Sequence, residues 1–156
     1  AQSYYERVRQ PAVIKKAGEY LYFMTGGRYT LQSASDGRRL FAVDGMQRRT
    51  SEKEWSSGLG DQIYLAVRVA LAMAFAGQIE SMPLILDDIL VRFDEVRQKE
   101  ALRFLADLGK TEQVFLFTCS EETRRLAVEV QKELAGETDS VHLFEISKGT
   151  IEAKGI

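Results

Sequence analysis

The chain has 156 residues, 45% hydrophobic and 28% charged, which is the size and composition of one ordinary globular domain. Its one cysteine, Cys119, excludes a disulfide framework, and no Cys/His cluster indicates a zinc site. The net charge of −2 divides into +4 over residues 1–55 and −6 over residues 56–156, and so small a basic surplus does not by itself indicate nucleic-acid binding.

The N-terminal segment is predicted to be a helix. Between residue 3 and about residue 24, apolar side chains recur at helical spacing. Pro11 is expected to kink this helix or to mark its start, and Gly26-Gly27 to end it. Because the helical pattern has no natural start residue, we expect the helix to continue upstream in a longer protein.

Two short strands are predicted next, over residues 29–33 and 40–43, and they form a small antiparallel hairpin. A turn built on Ser35-Asp36-Gly37 joins them, and Asp44-Gly45 makes a second turn. A polar segment follows from there to Trp55.

A long helix is predicted over residues 60–79. It is apolar nearly all round, which favours burial. Its longest apolar run, residues 63–77, is interrupted by Arg68 and is too short to span a bilayer. No signal peptide is recognisable at the N-terminus. We therefore expect a cytoplasmic protein without a membrane segment.

Strands and helices then alternate to the end of the chain. Strands are predicted over residues 84–86, 113–118, 141–146 and 150–153, and helices over residues 94–108, closed by Gly109, and 121–134, closed by Gly136. This alternation predicts an α/β fold with a mainly parallel, doubly wound core, to which the N-terminal hairpin adds an antiparallel piece.

The strand over residues 84–86 ends on two adjacent carboxylates, Asp87 and Asp88. In parallel sheets, ligands bind beyond the carboxyl ends of the strands, where residues 118–120 also fall. Adjacent residues of a strand point to opposite faces, but at a strand end one acid can hold the water shell of a divalent cation while the next reaches an attacking water. The alternative is that both acids cap the following turn.

Ser56-Ser57-Gly58 lies just before the long apolar helix. A serine at this place is a good N-cap. A serine hydroxyl, a glycine amide and a helix N-terminus also make an anion site, because the exposed amides and the helix dipole both favour negative charge. The two roles are compatible.

A serine–glycine turn that opens an apolar helix, followed by an apolar strand that ends in two acids, resembles the C-terminal half of an ABC-type ATPase head. More narrowly, it resembles the SMC-like group that includes SbcC-type and YhaN-like proteins. The resemblance spans residues 3–146 and rests mainly on two segments, WSSGLGDQIYLAVRVALA and PLILDDILVRFDEVR. It implies that residues 1–27 are the end of a coiled-coil arm and residues 28–156 the C-terminal ATPase lobe. No phosphate-binding loop of the form G-x-x-x-x-G-K-[ST] occurs in the chain, so the lobe that carries it, the Walker A lobe, is expected elsewhere in the same protein.

The resemblance assigns roles to four of the residues named above. Ser56 and Gly58 match the signature motif, which contacts the γ-phosphate of ATP bound to the opposite subunit. Asp87 matches the Walker B aspartate, which holds Mg²⁺ through water. Asp88 stands where most relatives have a catalytic glutamate that polarises the attacking water, and it is one methylene shorter.

Two further motif positions follow from the same resemblance. Asp94 matches the D-loop aspartate, which helps to join the two sites of a dimer. Ser120 stands at the H-loop position, where relatives carry a histidine that senses the γ-phosphate. Because serine cannot carry a positive charge, this departure favours slow hydrolysis or a mainly structural switch.

The implied function is ATP binding and hydrolysis with Mg²⁺ at the interface of two heads, in DNA repair, processing or genome maintenance, with DNA and a nuclease as candidate partners. Without the Walker A lobe, this chain alone is expected to be inactive. One alternative is a non-hydrolysing module for nucleotide-gated dimerisation or protein docking. Another is an unrelated metal-dependent phosphohydrolase that uses Asp87 and Asp88, which leaves the turn at Ser56–Gly58 unexplained.

Other side chains near the motifs are interpreted as structural. Cys119 is taken as a small buried residue because no histidine accompanies it as an activating base. Arg92 and Arg97, which flank Asp94, are taken as surface residues.

Overall fold

The computed structural model describes residues 2–35, 37, 39–76, 82–135 and 141–154. Within these ranges the chain forms four α-helices, one short 3-10 helix (Glu52–Glu54) and seven strands. The fold is mixed α/β, as predicted.

Helix α1 spans Gln2–Met24, which confirms the predicted N-terminal helix. The helix begins before Pro11, so Pro11 does not mark its start. Its predicted end is also confirmed, because Gly26 and Gly27 have φ values of 60° and 82°. Glycine adopts this left-handed conformation readily, and it turns the Gly27 amide back to donate to the Tyr22 carbonyl at 2.8 Å.

An antiparallel sheet follows, with β1 (Tyr29–Ser33), β2 (Leu40–Asp44) and β3 (Arg49–Ser51) in that order. The predicted hairpin is confirmed, although Asp36 of its turn lies outside the described residues. Strand β3 was not predicted, because its three polar residues carry no apolar alternation. The second turn is held by Asp44, whose Oδ1 accepts from the Met46 and Arg48 amides at 2.9 Å each.

Helix α1 packs on this sheet through Gly18. A Cβ at this position would lie 2.7 Å from Thr30 Oγ1 and 3.1 Å from the Leu31 amide nitrogen. A side chain there would therefore push the helix away from β1.

Helix α2 spans Ser57–Ala76. It begins three residues before the predicted start, and its predicted end at Ile79 lies outside the described residues. The predicted burial is confirmed for one side of the helix only, since Tyr64, Leu71 and Phe75 are exposed. The buried side carries apolar residues that join the main core: Leu59, Ile63, Leu65, Ala66, Val69 and Ala70.

By length and mean hydropathy, Ser57–Phe75 is apolar enough to cross a membrane, in contrast to the shorter run considered above. Core helices of soluble proteins have the same properties, and α2 packs with α1 in the main core. The helix is therefore not a clear membrane span.

The parallel pair consists of β4 (Leu84–Asp87) and β5 (Val114–Phe117). Helix α3 (Glu95–Leu108) connects them, and α4 (Glu121–Leu134) follows β5. Alternate side chains of the two strands face the core, and the others are exposed. The core-facing residues are Leu84, Leu86, Val114 and Leu116; the exposed apolar ones are Ile85, Phe115 and Phe117.

Strands β6 (Leu143–Ser147) and β7 (Thr150–Lys154) form an antiparallel hairpin. The alternation of strands and helices predicts β6 in a mainly parallel core, whereas in the described part of the chain it pairs with β7 alone and the parallel sheet has two strands. The pairing with β7 follows from the turn between the two strands. Lys148 and Gly149 have φ values of 49° and 80°, and two successive positive φ angles favour a tight hairpin.

The main core lies where α1, α2 and α3 meet, and α4 packs on α3. Tyr20 of α1 meets Phe104 of α3 with ring centroids 4.9 Å apart. One buried polar contact joins α1 and α2: Gln62 is 2% exposed, and its Nε2 donates to the Met24 carbonyl at 3.1 Å. This bond supplies a donor to a carbonyl at the C-terminal end of α1, where carbonyls lack intrahelical partners.

Replacing Gln62 with leucine is expected to lower the free energy of unfolding by about 1–3 kcal/mol, because the Met24 carbonyl loses its buried donor. Urea denaturation followed by circular dichroism measures the change. Gln113→Leu, at an exposed position, serves as the control and is expected to change stability by no more than about 0.5 kcal/mol. Equal stability of the two variants would contradict the structural role given to Gln62.

Candidate functional site

The carboxyl ends of β4 and β5 lie side by side, as the sequence predicts. Asp87 is the last residue of β4, stands opposite Phe117 and is exposed. The next residue, Asp88, has a φ of 45°, which is uncommon for a residue other than glycine. Its amide donates to the Phe117 carbonyl at 2.9 Å. The chain therefore turns sharply at Asp88 while remaining bonded to β5.

The Asp88 carboxylate is held by the segment that follows β5. Its Oδ1 accepts from the Thr118 hydroxyl at 2.8 Å and from the Cys119 amide at 3.0 Å, and its Oδ2 accepts from the Cys119 thiol at 3.0 Å. The donors at Cys119 and Thr118 favour the ionised carboxylate and lower the pKa of Asp88 below its ordinary value. Asp88 thus bonds across to the end of β5, whereas a turn-capping aspartate would bond to the turn that follows it.

Cys119 is exposed, so its interpretation as a buried residue is wrong. The hydrogen bond from its thiol to Asp88, together with the negative charge of that carboxylate, raises the pKa of Cys119 above its ordinary value. A neutral thiol is a poor nucleophile. The contact therefore gives Cys119 the role of a hydrogen-bond donor to Asp88.

Ser56 and Gly58 lie at the start of α2. The Ser56 hydroxyl accepts from the Leu59 amide at 3.3 Å, and the Ser56 carbonyl accepts from the Gly60 amide at 2.9 Å. Ser56 therefore caps α2, which is one of the two compatible roles predicted for it. The remaining first-turn amides have no acceptor within the helix, and this geometry suits an anion.

Asp94 is the N-cap of α3, and its Oδ1 accepts from the Arg97 amide at 2.9 Å. The Arg97 guanidinium forms an ion pair with Oδ2 of the same carboxylate. The hydrogen bond from the Arg97 amide, followed by the side-chain bond and the positive charge, lowers the pKa of Asp94. Asp94 is thus ionised and fixed in place at the first turn of α3.

The same guanidinium covers Gly58. A Cβ on Gly58 would lie 2.6 Å from Arg97 Cζ and 2.7 Å from Arg97 Nε. Arg97 therefore joins the Ser56–Gly58 turn to Asp94, and its side chain is only 32% exposed. The interpretation as a surface residue is confirmed for Arg92, whose side chain is 77% exposed, but holds only in part for Arg97, because sequence spacing does not show that the first turns of α2 and α3 meet.

Ser120 is the N-cap of α4. Its hydroxyl accepts from the Thr123 amide at 3.2 Å, and its own amide donates to Thr118 Oγ1 at 3.1 Å. Through Thr118, the predicted H-loop position is connected to Asp88. The sequence alone does not identify Thr118 as a contact of Asp88, because the pairing register of β4 and β5 is needed to place the two residues together.

The predicted site residues thus fall into two groups. Asp88 and residues 118–120 form one group, next to Asp87, and Ser56, Gly58, Asp94 and Arg97 form the other. Within the described ranges, no cluster of three or more His, Cys, Asp or Glu side chains could enclose a metal ion. A hydrated Mg²⁺ needs only one or two carboxylates, and the exposed Asp87 at the strand end fits that requirement.

Comparison with known sequences finds a similar bacterial protein. The chain is 32% identical over 124 residues to YhaN of Bacillus subtilis (strain 168), an uncharacterized protein, and the match covers 77% of this chain. The match spans only 13% of the length of YhaN. No family model matches the chain.

Comparison with solved structures is decisive for the fold. An SMC ATPase structure from work on ATP-driven dimerisation and DNA-stimulated activation has a TM-score of 0.66 at 12% identity, over 100% of this chain and 89% of that chain. The SMC head domain from Thermotoga maritima has a TM-score of 0.63 at 14% identity, over 92% of this chain and 47% of that chain. The chain has the fold of an SMC ATPase head fragment. The resemblance predicted from the sequence is confirmed.

The contact between Gly58 and Arg97 in this SMC-like head fragment can be tested by a double-mutant cycle. In an Arg97→Ala background, Gly58→Ala is expected to raise the free energy of unfolding by at most about 0.5–1 kcal/mol, the gain in a helix interior, because alanine is the better helix former. In the wild-type background that gain is expected to vanish, since the new Cβ displaces the guanidinium from Asp94. Urea unfolding of the four proteins measures the coupling.

Gly60→Ala is the matched control, because no atom lies within 4 Å of an added Cβ at that position. Its effect is expected to be the same with and without Arg97. A Gly58→Ala effect that is also independent of Arg97 would show that the two residues are not in contact.

The contact between Asp88 and Cys119 predicts slow thiol chemistry in the head fragment. Because the carboxylate raises the pKa of the thiol, Asp88→Asn is expected to lower that pKa and to speed alkylation by iodoacetamide at pH 8. Cys119 is the only cysteine, so mass spectrometry of the labelled protein reads this one site. Asp107→Asn, at an exposed carboxylate of α3, is the control. Equal rates in the three proteins would refute the contact.

Proposed function

We propose that the chain is the C-terminal lobe of an SMC-like ATPase head that binds and hydrolyses ATP at the interface of two heads. The observation that carries the proposal is the position of Asp87 and Asp88 at the carboxyl edge of a parallel strand pair, in a fold similar to SMC heads. The second group, at the start of α2, then contacts the nucleotide of the partner head. Residues 28–156 form the lobe, and residues 1–27 are the end of a coiled-coil arm.

In the proposed site, Asp87 would hold Mg²⁺ through its water shell. The ion, when bound, neutralises charge that develops on the phosphates. Asp88 takes part in orienting the attacking water and accepting its proton. Since Thr118 and Cys119 already donate to both oxygens of Asp88, the water must use a remaining lone pair of the carboxylate or replace one of these donors.

Exposed apolar faces on two of the sheets support the proposal that a second lobe packs against this one. One face of the β4–β5 pair and one face of the β6–β7 hairpin are apolar and exposed, through Ile85, Phe115 and Phe117 and through Phe144, Ile146 and Ile151. Large exposed apolar faces indicate surfaces that another part of a protein covers. The Walker A lobe of the same protein is the proposed partner, and it also brings the phosphate-binding loop that ATP requires.

The proposed setting is DNA repair, processing or genome maintenance in the cytoplasm, with DNA and a nuclease as partners. One similar SMC ATPase structure comes from work on DNA-stimulated activation and ATP-driven dimerisation, which supports the dimer and the DNA in this proposal. The bond from Gln62 to the Met24 carbonyl supplies a direct connection by which a displacement of α2 would reach the proposed arm helix.

One observation favours a second function, a non-hydrolysing module for nucleotide-gated dimerisation. The Ser120 hydroxyl is used to cap α4, and the Asp88 carboxylate accepts three hydrogen bonds. Neither group is poised for fast turnover in this arrangement. The hydrolysis rate of the complete head separates the two functions.

The test combines this chain with the Walker A lobe of its parent protein and measures dimerisation and phosphate release with and without Mg²⁺–ATP. We expect dimers only with nucleotide, and slow hydrolysis. Asp88→Asn is expected to reduce hydrolysis about a hundredfold or more, the usual contribution of a general base, and to leave the dimer intact. Asp107→Asn is the control and is expected to behave as wild type.

Three other outcomes are informative. A complete head that does not dimerise with ATP would overturn the proposal. Dimerisation with no hydrolysis above that of Asp88→Asn would support the non-hydrolysing module. Divalent-dependent phosphohydrolase activity of this chain without the other lobe would instead support an independent enzyme that uses Asp87 and Asp88.

A further inference from the structure

Arg97 is the one arginine near Asp94 whose head group is enclosed. Its Nε is buried and has no hydrogen-bond partner within the described residues, and the side chain as a whole is 32% exposed. The guanidinium lies where the side chain of residue 58 would be, with Nη1 at 2.9 Å from an added Cβ. Glycine at position 58 is therefore what allows Arg97 to sit against the first turn of α2.

Arg97 is also held by Asp94. Its backbone amide and its guanidinium both donate to the Asp94 carboxylate. An N-cap contact and an ion pair on one carboxylate leave the side chain little freedom. One side chain thus connects Asp94 to Gly58.

Arg92 offers a direct comparison. It bridges the same two segments through Asp61 of α2, but the N–O distance is 3.6 Å and the Arg92 side chain is 77% exposed. Exposed pairs of this kind contribute little. The two arginines carry the same charge and join the same two segments, so they differ mainly in enclosure.

The position of Arg97 is electrostatically unfavourable without Asp94. The N-terminal end of α2 carries partial positive charge, and a guanidinium beside it is repelled. The Asp94 carboxylate offsets this repulsion. The placement of Gly58 against Arg97 therefore depends on Asp94, and a displacement of either segment disturbs the other.

We propose that Arg97 is a positioning residue that holds the Ser56–Gly58 turn and Asp94 as one rigid unit, so that both reach the partner head and its nucleotide together. This inference rests on the proposed function, because only a head–head dimer gives both segments a common partner. Arg97 acts through Gly58 and Asp94 and is not assigned a contact with the phosphates.

The experiment uses the complete head, with this chain and its Walker A lobe, and compares Arg97→Ala, Arg97→Lys and the matched control Arg92→Ala. Two constants are measured for each protein: the Kd of the ATP-dependent dimer by analytical ultracentrifugation, and the Kd of Mg²⁺–ATP for the monomeric head at concentrations below dimerisation. ATP binding by the monomer also reports whether each variant is folded.

We expect Arg97→Ala to weaken the dimer about tenfold or more, as coupled contacts commonly do, and to leave ATP binding by the monomer unchanged. Arg92→Ala is expected to change neither constant. Arg97→Lys keeps the charge but lacks the planar head group that covers Gly58, so it is expected to weaken the dimer nearly as much as alanine.

Each remaining outcome overturns the inference. If Arg97→Ala and Arg92→Ala weaken the dimer equally, the positive charge alone accounts for the effect. The same conclusion follows if the Arg97→Lys protein dimerises as tightly as wild type. If Arg97→Ala weakens ATP binding by the monomer as much as it weakens the dimer, the role is general stability. In these cases the proposed function stands, whereas a wild-type head that does not dimerise with ATP overturns both.

Discussion

The parallel register of β4 and β5 is the constraint on which the first half of the candidate site depends. With Asp87 opposite Phe117, the following residue, Asp88, meets Thr118 and Cys119. A slip of one residue would turn each side chain of the strand to the other face and would remove all three donors from the carboxylate. The main-chain bond from the Asp88 amide to the Phe117 carbonyl fixes the turn with its uncommon positive φ. The position of the Asp88 carboxylate is thus determined by the pairing of β4 with β5 more than by the residues next to Asp88 in the sequence.

The second half of the site depends on helix packing instead. The first turns of α2 and α3 are far apart in sequence, and they meet because both helices bury apolar residues in the same core. Gln62 connects α2 to the end of α1, and Arg97 connects it to α3. The Ser56–Gly58 turn therefore belongs to a block of three packed helices. Strand pairing positions the acids and helix packing positions the turn, and a buried hydrogen bond from the Thr123 hydroxyl of α4 to Gln98 Oε1 of α3 at 2.8 Å connects the two supports.

Much of the fold was predictable because its signals are local. Apolar spacing identified α1, the glycine pair marked its end, and the apolar run before Asp87 identified β4. The motifs were recognisable for the same reason, since each is a short contiguous segment. Strand β3 and the pairing of β6 were missed because a polar three-residue strand carries no pattern and because periodicity does not show which strand is the neighbour. Arg97 and Thr118 were missed because their contacts join segments distant in sequence.

The contacts of Asp88 with Thr118 and Cys119 also change how its short side chain is understood. From the sequence, an aspartate in place of glutamate raises only a question of reach. In the structure its carboxylate is already occupied by Thr118 and Cys119, and Ser120 donates in turn to Thr118. If residues 118–120 respond to a phosphate, as the H-loop role proposed for Ser120 implies, that response moves the donors of Asp88 directly. A serine without positive charge would then still affect the acid, through the hydrogen bonds that place it.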